Sequence, residues 1–124
     1  MTETILVVED EPFVALDLKY ACEDQGYAAI TASTCRQAIA AIEETAFIGA
    51  VLDVNLGRGE TCDVVAKALK DRAIPFVLHT GDLDRAGEYL RGIDAPIVAK
   101  PSTASAVVGQ LLDHIGAVEK RGER

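Results

Sequence analysis

The sequence contains no apolar stretch approaching the roughly 20 residues that a membrane-crossing helix needs, because Asp, Glu, Lys or Arg interrupts every hydrophobic run. Its N-terminus lacks a basic segment followed by an apolar one, so no secretory signal is expected. Cysteine is scarce: Cys22, Cys35 and Cys62 form no CxxC pair and stand at no zinc-finger spacing from His79 or His114. They read as reduced, mostly buried small hydrophobes. Basic charge is also short, and a formal net charge of −8 repels nucleic acid and anionic lipid. Internal repeats and low-complexity linkers are missing too. These absences predict a soluble cytoplasmic protein with neither a nucleic-acid nor a membrane partner.

What is present is one domain's worth of core. Hydrophobic residues make up 49% of 124 residues, enough to fold without a disulfide or structural metal. Five short apolar runs, Ile5–Glu9, Ala28–Ala32, Gly49–Asp53, Phe76–Thr80 and Ile97–Lys100, read as strands buried on both faces. Between them, helical periodicity predicts helices over Pro12–Gln25, Thr34–Glu44, Thr61–Arg72 and Thr103–Val118, with Ser33 or Thr34 and Ser102 or Thr103 as N-caps. Asp84–Arg91 is a weaker, charged helical segment between Gly81 and Gly92. The domain is expected over residues 1–118, with 119–124 as a polar, frayed tail.

Strict alternation of strand and helix predicts a flavodoxin-like (βα)5 doubly wound α/β fold with a parallel sheet in the order 2-1-3-4-5. Ligands in such folds bind beyond the carboxyl ends of the strands. Here those ends carry Glu9-Asp10, Asp53, Thr80-Gly81 and Lys100-Pro101. In the assumed order Asp10 and Thr80 flank Asp53 at about the 4.8 Å strand spacing, and only a long side chain such as Lys100 could reach back from the fifth strand. Three carboxylates, a hydroxyl and a lysine make a phosphoryl-transfer site. The acids suit Mg²⁺ or Mn²⁺, Lys100 and Thr80 hold phosphoryl oxygens, and Asp53 is the nucleophile that forms an aspartyl phosphate.

The set ED near the start, Asp53 in VLDVNLG, Thr80 in LHTG and Lys100-Pro101 resembles the receiver domain of bacterial response regulators, over essentially Thr4–Val118. The resemblance implies Asp53 as phosphoacceptor, Asp10 as metal ligand supported by Glu9, and a metal-binding backbone carbonyl from Asn55. It further implies Thr80 as the switch hydroxyl, Lys100 as the phosphate-binding cation and a cis Lys100-Pro101 bond. Receivers often carry an aromatic three residues before the lysine; here that residue is Ile97, so an aromatic rotamer switch is excluded. Pro75-Phe76-Val77-Leu78-His79-Thr80-Gly81-Asp82 resembles the PFxFATGY motif of stand-alone receivers that also lack that aromatic, with departures at Leu78, His79 and Asp82. Members of that subgroup work with kinases of the HWE type.

On this reading the chain is a signalling module rather than an enzyme. It takes phosphate from a sensor histidine kinase or histidine phosphotransfer protein and changes its binding surface toward an unidentified target protein. The start at Met1 and the charged end favour a free-standing regulator, monomeric or weakly dimeric on phosphorylation. A phosphate sink or shuttle, and the receiver piece of a longer hybrid protein, are the alternatives. Gly81 and the weak helix after it are expected to report Thr80's movement, and Asp82 to orient the hydrolytic water. His79, preceding Thr80 on its strand, points to the opposite face and reads as structural or surface. His114 complements the last helix's dipole. Tyr89 and Leu90 either meet a partner or pin the weak helix. A haloacid-dehalogenase-like phosphatase would need a second Asp where Asn55 stands. A flavodoxin would need a phosphate loop where Glu9-Asp10-Glu11 would repel FMN.

Overall fold

The computed structural model describes residues 3–56, 60–61, 63–80, 95–100 and 102–120. Its elements run β1 (Thr4–Val8), α1 (Pro12–Asp24), β2 (Ala28–Ala32), α2 (Cys35–Glu44), β3 (Gly49–Asp53), β4 (Asn55–Leu56), β5 (Glu60–Thr61), α3 (Asp63–Asp71), β6 (Phe76–Thr80), β7 (Ile97–Ala99) and α4 (Ala104–Lys120). The main sheet has five parallel strands in the order β2-β1-β3-β6-β7, which is 2-1-3-4-5 when its strands are counted along the chain. This is the flavodoxin-like doubly wound arrangement that the alternation of elements predicts.

Successive strand residues face opposite sides of a sheet, and here both sides are covered. Leu6, Val8, Ala50, Leu52, Phe76 and Leu78 pack with Ala38 and Ile42 of α2 and Val65 and Leu69 of α3. Ile5, Val7, Val51, Val77 and Val98 pack with Leu18 and Cys22 of α1 and Val107, Val108 and Leu111 of α4. That sandwiching explains why β1, β3 and β6 read as nearly continuous apolar runs. The edge strands differ: Ile30 of β2 and Ile97 of β7 are exposed, so burial on both faces does not extend to them.

Local chemistry sets the helix ends. Thr34 is the N-cap of α2, its hydroxyl accepting from the Gln37 N–H at 3.1 Å, while the Gln37 side chain accepts from the Ser33 N–H at 2.8 Å. Thr103 caps α4 through the Ala106 N–H at 3.1 Å; Ser102 instead donates its hydroxyl to the Ala99 carbonyl. Most boundaries fall within one residue of expectation, and two depart by two residues. Thr61 pairs with Asn55 in a short antiparallel ladder, so α3 begins at Asp63 rather than at Thr61. Helix α4 continues to Lys120, two residues into the expected frayed tail. The segment Asp84–Arg91, Gly81, Asp82 and Pro101 lie outside the described residues, with Cys62, Tyr89 and Leu90.

Helices α1 and α3 end with the same pair of bonds but different residues. After α1, the Tyr27 N–H donates to the Cys22 carbonyl and the Gly26 N–H to that of Glu23, with Gly26 at φ +91°. After α3, Ile74 donates to Leu69 and Ala73 to Lys70, with Ala73 at φ +56°. A left-handed residue closing a helix is normally glycine, because a Cβ is crowded there. Ala73→Gly is therefore expected to stabilise the fold by about 0.5–1 kcal/mol, the left-handed strain outweighing glycine's greater unfolded-state entropy. Urea titration of both proteins checks this; a lower midpoint for the glycine variant would show that Ala73 carries no strain.

Candidate functional site

Three parallel strands deliver their last residues to one edge. The Glu9 N–H donates to the Ala32 carbonyl at 2.9 Å, carrying β1's register one residue past its end. Asp53 ends β3 and Thr80 ends β6; the Lys100 N–H donates to the Thr80 carbonyl at 2.7 Å, anchoring the lysine beyond β7. Glu9, Asp53 and Thr80 are buried, at 2%, 3% and 2% exposure, whereas Asp10 is half-buried.

The structure brings Glu9, Asp10, Asp53 and Lys100 together. One carboxylate oxygen from each acid lies within 4.8 Å of the other two. Lys100 Nζ sits 3.5 Å from Glu9 Oε1 and 3.6 Å from Asp53 Oδ2, with its side chain 28% exposed. Glu9 Oε2 accepts from the Glu11 N–H at 3.2 Å, but Oε1 has no hydrogen-bond partner among the described residues. A cleft of about 330 Å³ beside the acids is lined by Glu9, Asp10, Leu16, Lys19, Ser33 and Gln37.

The electrostatics follow from this crowding. Burial, a side-chain hydrogen bond with Asp53 and the repulsion of its charge push the Glu9 carboxyl up to about 8, against the weaker opposing pull of the Glu11 N–H and Lys100. One lysine does not offset three clustered carboxyls. A buried Glu9 oxygen met only by the Lys100 ion pair, three oxygen donors within reach of a single ion and an unmet negative charge fit a small hard divalent cation. Asn55 begins β4 directly beyond Asp53 and Val54.

Sequence reasoning missed one neighbour. In the sheet register His79, not Thr80, stands level with Asp53, and Val98 stands level with His79 on the far side. Thr80 lies one residue further along β6, level with Ala99. His79 is 4% exposed, so a surface position is excluded, and neither ring nitrogen has a hydrogen-bond partner among the described residues. Burial, reinforced by the charge of Lys100, lowers its pKa to about 4 and keeps the ring neutral near pH 7. Alternation alone puts His79 and Thr80 on opposite faces, and the pairing of β3 with β6 is what sets 77 and 79 on the face of 51 and 53.

The chain superposes on the crystal structure of a CheY-like response regulator receiver domain protein from Methanospirillum hungatei with a TM-score of 0.83, over 98% of this chain and 99% of that one, at 24% identity. The fold is that of a response regulator receiver domain. A second structure with this receiver fold is the receiver domain of a sensor histidine kinase from Pseudomonas aeruginosa, which holds a magnesium ion in its active site cleft. It matches with a TM-score of 0.79 at 18% identity, over 94% of this chain and 99% of that one. In sequence the chain is similar to the phyllosphere-induced regulator PhyR of Methylorubrum extorquens, 33% identical over 118 residues. That match takes in 90% of this chain and 44% of the regulator, so the chain spans less than half of its relative's length. No protein-family model matches the sequence. Among the described residues no helix is long and apolar enough to cross a membrane.

Proposed function

We propose that this chain is a receiver of two-component signalling whose Asp53 takes a phosphoryl group from a phosphohistidine on a sensor kinase or histidine phosphotransfer protein. The observation that carries this is the buried Asp53 carboxylate at a strand end, with carboxylate oxygens of Glu9 and Asp10 within 4.8 Å and Lys100 Nζ at 3.6 Å. An Asp53 oxygen attacks phosphorus, the Oδ–P bond forms as the donor's P–N bond breaks, and the leaving imidazole takes a proton. Lys100 and the Thr80 hydroxyl receive the transferred oxygens, Lys100 moving from carboxylate to phosphoryl as Asp53 loses its charge. Glu9, Asp10, Asp53 and the backbone carbonyl of Asn55 would hold Mg²⁺, which would offset charge on the phosphoryl group. The downstream output is a changed surface for a protein partner rather than turnover of an external substrate.

The segment Pro75-Phe76 to Thr80-Gly81, together with Ile97 in place of an aromatic, supports the PFxFATGY subgroup and a kinase of the HWE type. Ile97 is 45% exposed on an edge strand, level with Leu78, where an aliphatic side chain cannot give a ring-flip readout. Phosphotransfer profiling tests the whole reading. Autophosphorylated kinases from the source organism are offered to the wild type and to Asp53→Asn, with and without Mg²⁺. Rapid labelling of the wild type alone, and only with Mg²⁺, is expected; labelling of the Asn variant would overturn it.

A protein donor must cover the rim of the site. Helix α1 leaves that rim directly after the acids and exposes Phe13 (83%), Leu16 and Tyr20 at helical spacing on its outer side. Large exposed apolar side chains of this kind anchor interfaces. Phe13→Ala is expected to lower kcat/KM for transfer from the cognate kinase by about tenfold. Its phosphorylation by a small donor such as acetyl phosphate should remain at the wild-type rate. Equal loss with both donors would mean that Phe13 supports the fold instead.

A further inference from the structure

We propose that His79 is a positioning residue for phosphoryl transfer, a neutral ring beneath the path of the Lys100 side chain that fixes where the ammonium meets the phosphoryl group. The proposal rests on Asp53 being the phosphoacceptor and deepens that reading.

Sheet register supplies the first reason. Asp53, His79 and Val98 form one row across β3, β6 and β7, and by strand alternation all three face α1 and α4. Lys100 follows two residues after Val98, and its ammonium ends 3.6 Å from Asp53. The two backbones stand two strand spacings apart, roughly 10 Å between strand axes, a gap that the Lys100 and Asp53 side chains close between them, and the intervening strand contributes His79 to that row.

The second reason is that the ring is costly where it stands. It is 96% buried, in line with the apolar cluster of Val51, Val77 and Val98, and both nitrogens lack hydrogen-bond partners among the described residues. A valine in its place would be the unremarkable choice for a strand packed under a helix. An unpartnered, uncharged nitrogen on the strand between the lysine and Asp53 is an acceptor held in reserve. Lys100 has three protons to place, and its present distances of 3.5 and 3.6 Å to two carboxylates leave it loosely held. When Asp53 becomes an acyl phosphate and its negative charge moves outward, the imidazole supplies the inner contact that keeps the ammonium aimed at the phosphoryl oxygens.

The test compares wild type, His79→Val, His79→Gln and Asp53→Asn at pH 8, where the ring is neutral in folded and unfolded chains alike. Each is measured for urea stability, for Mg²⁺ binding and for the rate of phosphorylation by acetyl phosphate. His79→Val is expected to be at least as stable as wild type and to bind Mg²⁺ equally, yet to be phosphorylated about tenfold more slowly, with Gln restoring much of the rate. A valine variant phosphorylated at the wild-type rate would overturn the proposal. So would one that loses stability and Mg²⁺ binding together, since that marks a packing role. If the wild type itself takes no phosphate, or Asp53→Asn takes as much, it is the assignment of Asp53 that fails, not the role of His79.

Discussion

Replacing Lys100 with alanine is expected to slow phosphorylation of Asp53 by about 100-fold or more, the usual cost of removing one charge-stabilising donor from a transfer site. The same variant should bind Mg²⁺ more tightly than wild type. Both effects come from one position: Nζ lies between Glu9 Oε1 and Asp53 Oδ2, 3.5 and 3.6 Å away. There it offsets part of the acids' charge, repels any second cation brought to them and, in the proposed transfer, faces the arriving phosphoryl group. Removing it exposes the full negative cluster, which favours the metal and disfavours a phosphate donor. Rates with acetyl phosphate and Mg²⁺ titrations by calorimetry separate the two. Slower transfer with weaker metal binding would show that Lys100 organises the site as a whole rather than acting on the phosphoryl group.

The second large effect is in pH. Glu9, buried and sharing a proton with Asp53, ionises only near pH 8 in the metal-free chain, against an ordinary carboxyl value of 4.5. Binding a divalent cation requires the carboxylate, so below pH 8 the metal must displace a proton and its apparent affinity falls as acidity rises. From pH 6 to pH 8 the Mg²⁺ affinity is expected to rise by about tenfold or more, with close to one proton released per ion at the acid end. The sign is fixed by the raised pKa: a carboxyl depressed by its surroundings would already be ionised at pH 6 and give no slope. Glu9→Gln cannot release that proton, and its Mg²⁺ affinity should be weaker but nearly flat over the same range. A wild-type affinity independent of pH would place Glu9 outside the metal's immediate neighbourhood. The same shift means that, without metal, the folded chain loses stability as pH rises from about 4.5 toward 8, where the unfolded chain holds fewer protons.

Much of the scaffold around these groups was legible in the residues. Ala28–Ala32, Gly49–Asp53 and Phe76–Thr80 are the strands that the sequence predicts, residue for residue, because Gly, Pro and polar positions bracket each apolar run. Alternation with helices implies a parallel sheet with right-handed crossovers, and the doubly wound order 2-1-3-4-5 is the one observed. The convergence of Glu9, Asp10, Asp53 and Lys100 on one edge follows from that order alone, and the structure places them together.

Other features depended on partners that a local reading does not see. Thr61 looks like a helix start, with a hydroxyl before an amphipathic run, but Asn55 across a short ladder claims its backbone. Glu119 and Lys120 are polar and would fray in isolation, yet they stay in register on a long helix whose earlier turns are fixed by Val107, Val108 and Leu111. His79 was the most instructive. Its alternation relative to Thr80 was readable, but its neighbour across the sheet was not, because a register shift of one residue would exchange His79 and Thr80 beside Asp53. Only the paired strands settle it, and they put the imidazole level with Asp53.

On the proposed function, Asp53 alone carries phosphate. The most direct measurement is mass spectrometry of the intact chain and of its peptides after brief incubation with acetyl phosphate, with Mg²⁺ and then with Mg²⁺ chelated. One added phosphoryl group on the wild type, mapped to Asp53, absent from Asp53→Asn and lost on chelation, is the predicted result. An unmodified wild type, or a phosphoryl group mapped to any other residue, would contradict it.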